Sequence, residues 1–316
     1  MKKTTSILVG LLLSIGIVTS AESHVIKGAG ATFPEPLFKE MFKEYTRVKG
    51  QEISYEAHGS GSGLAELKKK TVQFASIDLP PDTDPLLSYI PITIEAVSII
   101  YNLPGNPELK LTPEILADIF SGKITHWNAK EIQKLNPEIT LINLPIQVFN
   151  RASDSGTSSL FSDYLSNATN KKALSLVGTQ VESNEEICEK VSVTVGGIGY
   201  ASLHQAIKQN ITYASLRNKK GHYVIPTVDT ILLAATTEAA KKSPYKLTNT
   251  TAEYGYPICG LSWLVLYKKQ DRKMLELLKW MTQEGQLLSE ENAYPPLPEN
   301  IIRLAKTRIN AITKLR

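Results

Sequence analysis

Asn150-Arg151-Ala152-Ser153-Asp154-Ser155-Gly156-Thr157-Ser158 closes a short apolar run that starts at Gln147. It opens a helical period carried by Leu160, Phe161, Tyr164 and Leu165. The stretch reads as strand, tight turn, helix. A helix N-terminus presents unpaired backbone N–H groups and the positive end of the macrodipole. Hydroxyls in the Ser-Gly-Thr turn and the guanidinium of Arg151 just ahead of it add donors and fixed charge, which is the composition of an anion site.

The same junction recurs twice. In Gly28-Ala29-Gly30-Ala31-Thr32-Phe33-Pro34 the glycines permit close backbone approach, Thr32 is a helix N-cap candidate and Pro34 suits a first helical turn. Leu37, Phe38, Met41, Phe42 and Tyr45 then mark an apolar helical face. Phe33 stands where a dinucleotide fingerprint needs its third glycine. Gly59-Ser60-Gly61-Ser62-Gly63, followed by Leu64 and Leu67, reads either as a flexible loop or as a third set of N–H and hydroxyl donors. It is neither a phosphate-binding P-loop nor a nucleophile elbow, which would require Ser where Gly61 stands. Asp78, just before Leu79-Pro80, has two readings. It is a turn or cap residue, or it is an acceptor for an anion that still carries a proton. Phosphate is protonated at neutral pH and sulfate is not, so a carboxylate would repel the second and hydrogen-bond the first.

Short apolar runs alternate with helical periods, which places the chain in the α/β class. Strand candidates are Glu52–Ala57, Ala96–Asn102, Gln147–Asn150 and Ser262–Tyr267. Helix candidates are Glu35–Val48, Leu64–Lys70, Pro113–Ser121, Asp154–Leu165, Arg272–Thr282 and Glu299–Leu315, the last with Ile302, Ala305, Ile309 and Ile312 on one face. The long apolar strands near residues 96–102 and 262–267 are candidate crossovers between two domains. Domain one would hold residues 22–98 and 261–316, and domain two residues 99–260.

Lys2 and Lys3, the apolar stretch Ile7–Val18 and small residues at Thr19, Ser20 and Ala21 form a secretory signal pattern over residues 1–21. Cleavage is expected after Ala21, or else after Ser23. Removing the first 21 of 316 residues lowers the formal charge from +4 to +2. The lysines are spread out and aromatics are few, so nucleic-acid binding has no support. Cys188 and Cys259 either pair in an oxidising compartment or sit as separate buried thiols. The five histidines show no ligand spacing with each other or with the cysteines, and no metal or cofactor is expected.

Together these segments resemble the phosphate-binding proteins of bacterial phosphate ABC transporters, the PstS family, from about Lys27 to the C-terminus. The resemblance rests on Gly28–Pro34, Gly59–Gly63, Thr71–Asp78, Ile119–Ile124 with Trp127 and Asn128, Gly197-Ile198-Gly199-Tyr200, and Ser262–Lys268. It implies a type II periplasmic-binding-protein fold, two α/β domains joined by a hinge of two crossover strands, that closes on dehydrated phosphate. By position, Thr32, Phe33 and Ser60 would supply backbone N–H and hydroxyl contacts. Asp78 would accept the phosphate proton, Arg151 would make the charged contact, and Ser155, Gly156 and Thr157 would complete the cage. The implied protein is a monomeric, non-enzymatic periplasmic receptor that hands inorganic phosphate to transmembrane permease subunits.

The chain departs from that family pattern in three places. Ser153 stands where an aspartate commonly pairs with the arginine, Ser76-Ile77 replaces Ala-Ser before Asp78, and His58 precedes the Gly/Ser turn. Competing readings are an exported phosphate-ester hydrolase using Ser155, a surface protein that keeps only the fold, and a receptor for another oxyanion such as sulfate or a phosphonate. The hydrolase needs a base or metal for which the sequence gives no spacing signal.

Overall fold

The computed structural model describes residues 25–78, 84–151, 155–170, 175–237 and 247–314. The signal pattern at 1–21, Ser153 and Asp154 lie outside them.

In chain order the strands are β1 (Ile26–Gly30), β2 (Ile53–Ala57), β3 (Phe74–Ile77), β4 (Leu87–Tyr101), β5 (Lys110–Leu111), β6 (Gln147–Arg151), β7 (Thr179–Val181), β8 (Gly197–Ser202), β9 (Ser215–Arg217), β10 (Tyr223–Val224), β11 (Cys259–Tyr267), β12 (Lys269–Gln270) and β13 (Thr313–Lys314). The helices are α1 (Glu35–Lys49), α2 (Ser60–Lys69), α3 (Pro113–Phe120), α4 (Lys130–Leu135), α5 (Gly156–Thr169), α6 (Asn184–Val193), α7 (Leu203–Lys208), α8 (Val228–Ala235), α9 (Arg272–Met281) and α10 (Glu299–Asn310).

Eight strands form one sheet in the order β2-β1-β3-β11-β4-β8-β6-β7. The two flanks are parallel: β2, β1 and β3 at one end, β8, β6 and β7 at the other. The centre is antiparallel, with β11 between β3 and β4 and β4 against β8. β4 belongs to both halves. Its residues from Leu87 to Ala96 pair with β11, and those from Val97 to Tyr101 pair with β8. Every residue of β4 is buried, as expected of a strand covered on both faces.

This strand is longer than the expected Ala96–Asn102, because Pro91 reads as a strand breaker. The register shifts there, with Trp263 opposite Pro91 and Ser262 opposite Thr93, and a bulge is where a residue without an N–H is tolerated. α2 also starts earlier than expected, at Ser60. Gly59 turns the chain with φ 114°, and Gly63 packs so tightly that a Cβ there would collide with Gly30 Cα and stand 2.6 Å from Ala29 O. The Gly/Ser segment is therefore a packed helical turn and not a loop. α10 ends at Asn310 and buries Ile301, Ala305 and Ile309, whereas Ile302 is only half-buried.

The main core lies between the sheet and helices α1, α3, α5, α9 and α10, around Phe38, Phe74, Phe120, Trp127, Phe161 and Trp263. A second cluster packs α6 and α7 on Ile100, Phe149, Val181 and Ala201. Cys188 and Cys259 are both free and buried, which settles the alternative in favour of separate thiols.

Candidate anion-binding site

Three strand-to-helix junctions meet at the sheet centre. At the first, the β1–α1 turn is held through its carbonyls. Ala31 O accepts from Tyr55 Oη at 2.7 Å and Phe33 O from Tyr294 Oη at 2.7 Å, while Ala31 N donates to Ser76 O at 2.9 Å. Thr32 does not cap α1. Pro34 occupies the cap position without a side-chain bond, because the Thr32 hydroxyl is turned to the opposite wall. There it accepts from Asn184 Nδ2 at 3.1 Å and from Arg151 Nη2 at 3.4 Å.

At the second junction, Gly30 O accepts from both His58 N and Gly59 N, fixing the start of α2. Ser60 Oγ stands beside Asp78 and accepts from its backbone N–H at 3.4 Å. His58 points away and pairs with Glu66 at 2.5 Å.

The third junction is β6–α5. Arg151, 4% exposed, is steered by its own backbone N–H, which donates to Tyr200 Oη at 3.1 Å. Its Nη2 donates to Glu182 O at 2.6 Å. Ser155 caps α5, its hydroxyl accepting from Ser158 N at 3.3 Å. Gly156 is glycine for a steric reason: a Cβ would collide with Asp78 Oδ2 and stand 2.5 Å from Ser60 Oγ. The N-terminus of α5 is thereby pressed directly onto the wall formed by α2 and β3.

Asp78 is the one carboxylate among these donors. It is 1% exposed, and Ser262 Oγ donates to its Oδ1 at 2.9 Å. Burial pushes its carboxyl up to about 7, while the Ser262 hydroxyl, the Arg151 guanidinium and the Ser60 hydroxyl pull the other way.

The structure thus brings together Thr32, Phe33, Ser60, Asp78, Arg151, Ser155, Gly156 and Thr157. It adds two residues that sequence reading missed. Asn184 Nδ2 reaches both Thr32 Oγ1 and, at 3.4 Å, Thr157 Oγ1, while its Oδ1 accepts from Ser202 N at 3.0 Å. Ser262 orients Asp78. Ser183-Asn184-Glu185-Glu186 looks like an ordinary helix start, and Ser183 does cap α6, so Asn184 carried no signal of its own. Three helix N-termini, a guanidinium, several hydroxyls and one buried acceptor suit a small, multiply charged oxyanion that keeps a proton. No cluster of three or more potential metal ligands exists among the described residues.

Residues 18–284 match the family profile of the PBP superfamily domain. A phosphate-binding protein PstS of Xylella fastidiosa is 34% identical over 307 residues, covering 89% of this chain and 84% of that protein. The chain belongs to the PstS family of phosphate-binding proteins. The PstS protein of Haemophilus influenzae is 31% identical, with 94% of this chain and 96% of that one covered. The phosphate-binding protein of Stenotrophomonas maltophilia, at 18% identity, superposes with a TM-score of 0.66 over 90% of this chain and 93% of its own. That likeness carries the fold, which is the mixed α/β type II periplasmic-binding-protein fold.

Proposed function

We propose that this chain is a periplasmic receptor that captures inorganic phosphate between its two domains and delivers it to the permease subunits of an ABC transporter. The observation that carries this reading is Asp78. A buried carboxyl stands within a ring of donors beside Arg151, an arrangement that favours an anion able to donate one hydrogen bond. Membership of a family named for phosphate binding supports the ligand. The domains divide at residues 98/99 and 260/261, with 22–98 and 261–316 forming one and 99–260 the other. The change of partner along β4 at Ala96–Val97 supports that division. The protein acts as a monomer, exported by the segment at 1–21, and performs no chemistry on its ligand. Thr32, Phe33, Ser60, Asp78, Arg151, Ser155, Gly156 and Thr157 form the cage, with Asn184 as a bridge.

Calorimetric titration of the phosphate-stripped protein tests the reading. One-to-one phosphate binding with no sulfate response is expected. A response to both anions would keep the cage and remove the role of Asp78. Absence of any response would leave the chain with the fold alone.

A further inference from the structure

A second carboxyl lies on the sheet beneath the cage. Glu95, in the middle of β4, is 1% exposed, and neither carboxyl oxygen has a hydrogen-bond partner. Buried polar groups are ordinarily satisfied, so an orphan carboxyl is costly unless it has a task or stays neutral. The register shows which way it faces. Residues directly opposite in an antiparallel pair share a face. Glu95 is opposite Gly260, and Thr93, two residues along, is opposite Ser262. That is the face from which the Ser262 hydroxyl reaches Asp78. α5 roofs the same strip: Gly156 abuts Asp78, and one turn later Leu160 Cδ2 would stand 2.5 Å from a Cβ on Gly260.

The ionisable groups around Glu95 come from several elements. Asp78 follows β3 and opposes ionisation of Glu95, adding to the effect of burial, which is the larger. Tyr55 of β2 and Tyr294 before α10 both sense Glu95, Asp78 and Glu35. The His204 ring of α7 stacks on Tyr294 with centroids 5.5 Å apart. Arg151 of β6 acts on Asp78.

We propose that Glu95 is a further residue of the anion site, a carboxylic acid that keeps its proton while the anion is bound, so that the Asp78–Glu95 pair carries at most one negative charge and capture is coupled to that proton. The inference rests on the phosphate reading above. Two carboxylates and a hydrogen phosphate in one desolvated space would crowd like charges against the Arg151 guanidinium. A proton from solvent on Glu95 removes one of those charges and turns a pure acceptor into a donor. The sign follows. As pH rises through the raised value of Glu95, its proton is lost and phosphate affinity falls, by up to about tenfold per pH unit.

The test is calorimetric titration with inorganic phosphate, from neutral to alkaline buffer, on wild type, E95Q and E95A. Each is run in two buffers of different ionisation enthalpy, which counts protons taken up. Glutamine fixes the side chain neutral and keeps a donor. E95Q is expected to lose the extra alkaline fall and to take up fewer protons than wild type, and E95A to bind more weakly than E95Q. The same proton count in D78N, where Glu95 is intact and the neighbouring carboxylate is gone, gives a reading that does not depend on altering Glu95. An alkaline profile and proton count identical in wild type and E95Q would overturn the role of Glu95. Failure of wild type to bind phosphate would overturn the phosphate reading and this inference with it.

Discussion

The two walls of the candidate site hold the same kind of junction but supply different chemistry. One wall, from the β1–α1 and β2–α2 turns and the end of β3, offers hydroxyls, helix starts and the carboxyl of Asp78. The other, from β6–α5 and the start of α6, offers Arg151, the capped start of α5 and the amide of Asn184. On the proposed reading, attraction is concentrated on the second wall and discrimination on the first: Arg151 would draw in any small anion by charge, and Asp78 would repel any anion that cannot offer it a proton. The two act on each other through space, since the guanidinium opposes the rise that burial imposes on the carboxyl.

Removing the charge from the second wall should have the largest effect. R151A is expected to weaken phosphate by at least about thirtyfold, taking roughly 2–5 kcal/mol for one member of a buried charged contact. Sulfate, if measurable, should weaken with it. Calorimetry showing unaltered phosphate affinity would remove Arg151 from the site.

Removing the discriminating group should act on selectivity. D78N is expected to keep phosphate binding but to narrow the preference over sulfate by about tenfold or more, since the repulsive element is gone. The same variant has a signature in stability. The Asp78 carboxyl moves from 3.8 to about 7 on folding, so the folded chain holds a proton that the unfolded chain has lost across that range. The proton-linked contribution to stability is therefore fully present below 3.8 and is lost as pH rises to about 7. Melting temperature of the phosphate-free protein against pH should show this decline in wild type and not in D78N.

The contact between the walls is tested by G156A. An added methyl must displace Asp78 or Ser60, and overpacking of this kind costs about 1–3 kcal/mol. Phosphate affinity should fall roughly five- to 150-fold, mainly through faster dissociation measured by stopped flow. Equal rates in G156A and wild type would show that α5 does not press on Asp78 when the ligand is held.

N184A is expected to give the smallest change. It removes a neutral bridge between Thr32 and Thr157, for a loss of about 1 kcal/mol, or roughly fivefold in affinity. A larger loss would mean that Asn184 contacts the anion itself.

The elements that were legible in sequence are those whose cause is local. The start of α5 follows from the Ser-Gly-Thr turn and the apolar period of Leu160, Phe161, Tyr164 and Leu165 just after it. α1, α3 and α9 follow from periodicity that four or five apolar residues are enough to declare. The extent of β4 was hidden because Pro91 and Glu95 interrupt its pattern, and only the bulge opposite Trp263 and the burial beneath α5 accommodate them. Thr32 was misread as a cap because its true partners lie far away in the chain, 152 residues in the case of Asn184. Ser262 reaches Asp78 across 184 residues, and no local pattern announces such a pair.

By itself the sequence determined the α/β class, the helix starts after Thr32 and after Arg151, and the fixed charge at Arg151, and it left Gly59–Gly63 open between a loop and a third helix start. Each depends on interactions a few residues long. Through the family motifs it also pointed to Asp78. Only the tertiary structure decided that these starts converge, that Gly156 must lack a side chain because another wall lies against it, and that Asp78 and Glu95 share one desolvated face. Burial is a property of packed space and is the main cause that raises both carboxyls, and the nearby Asp78 raises Glu95 further.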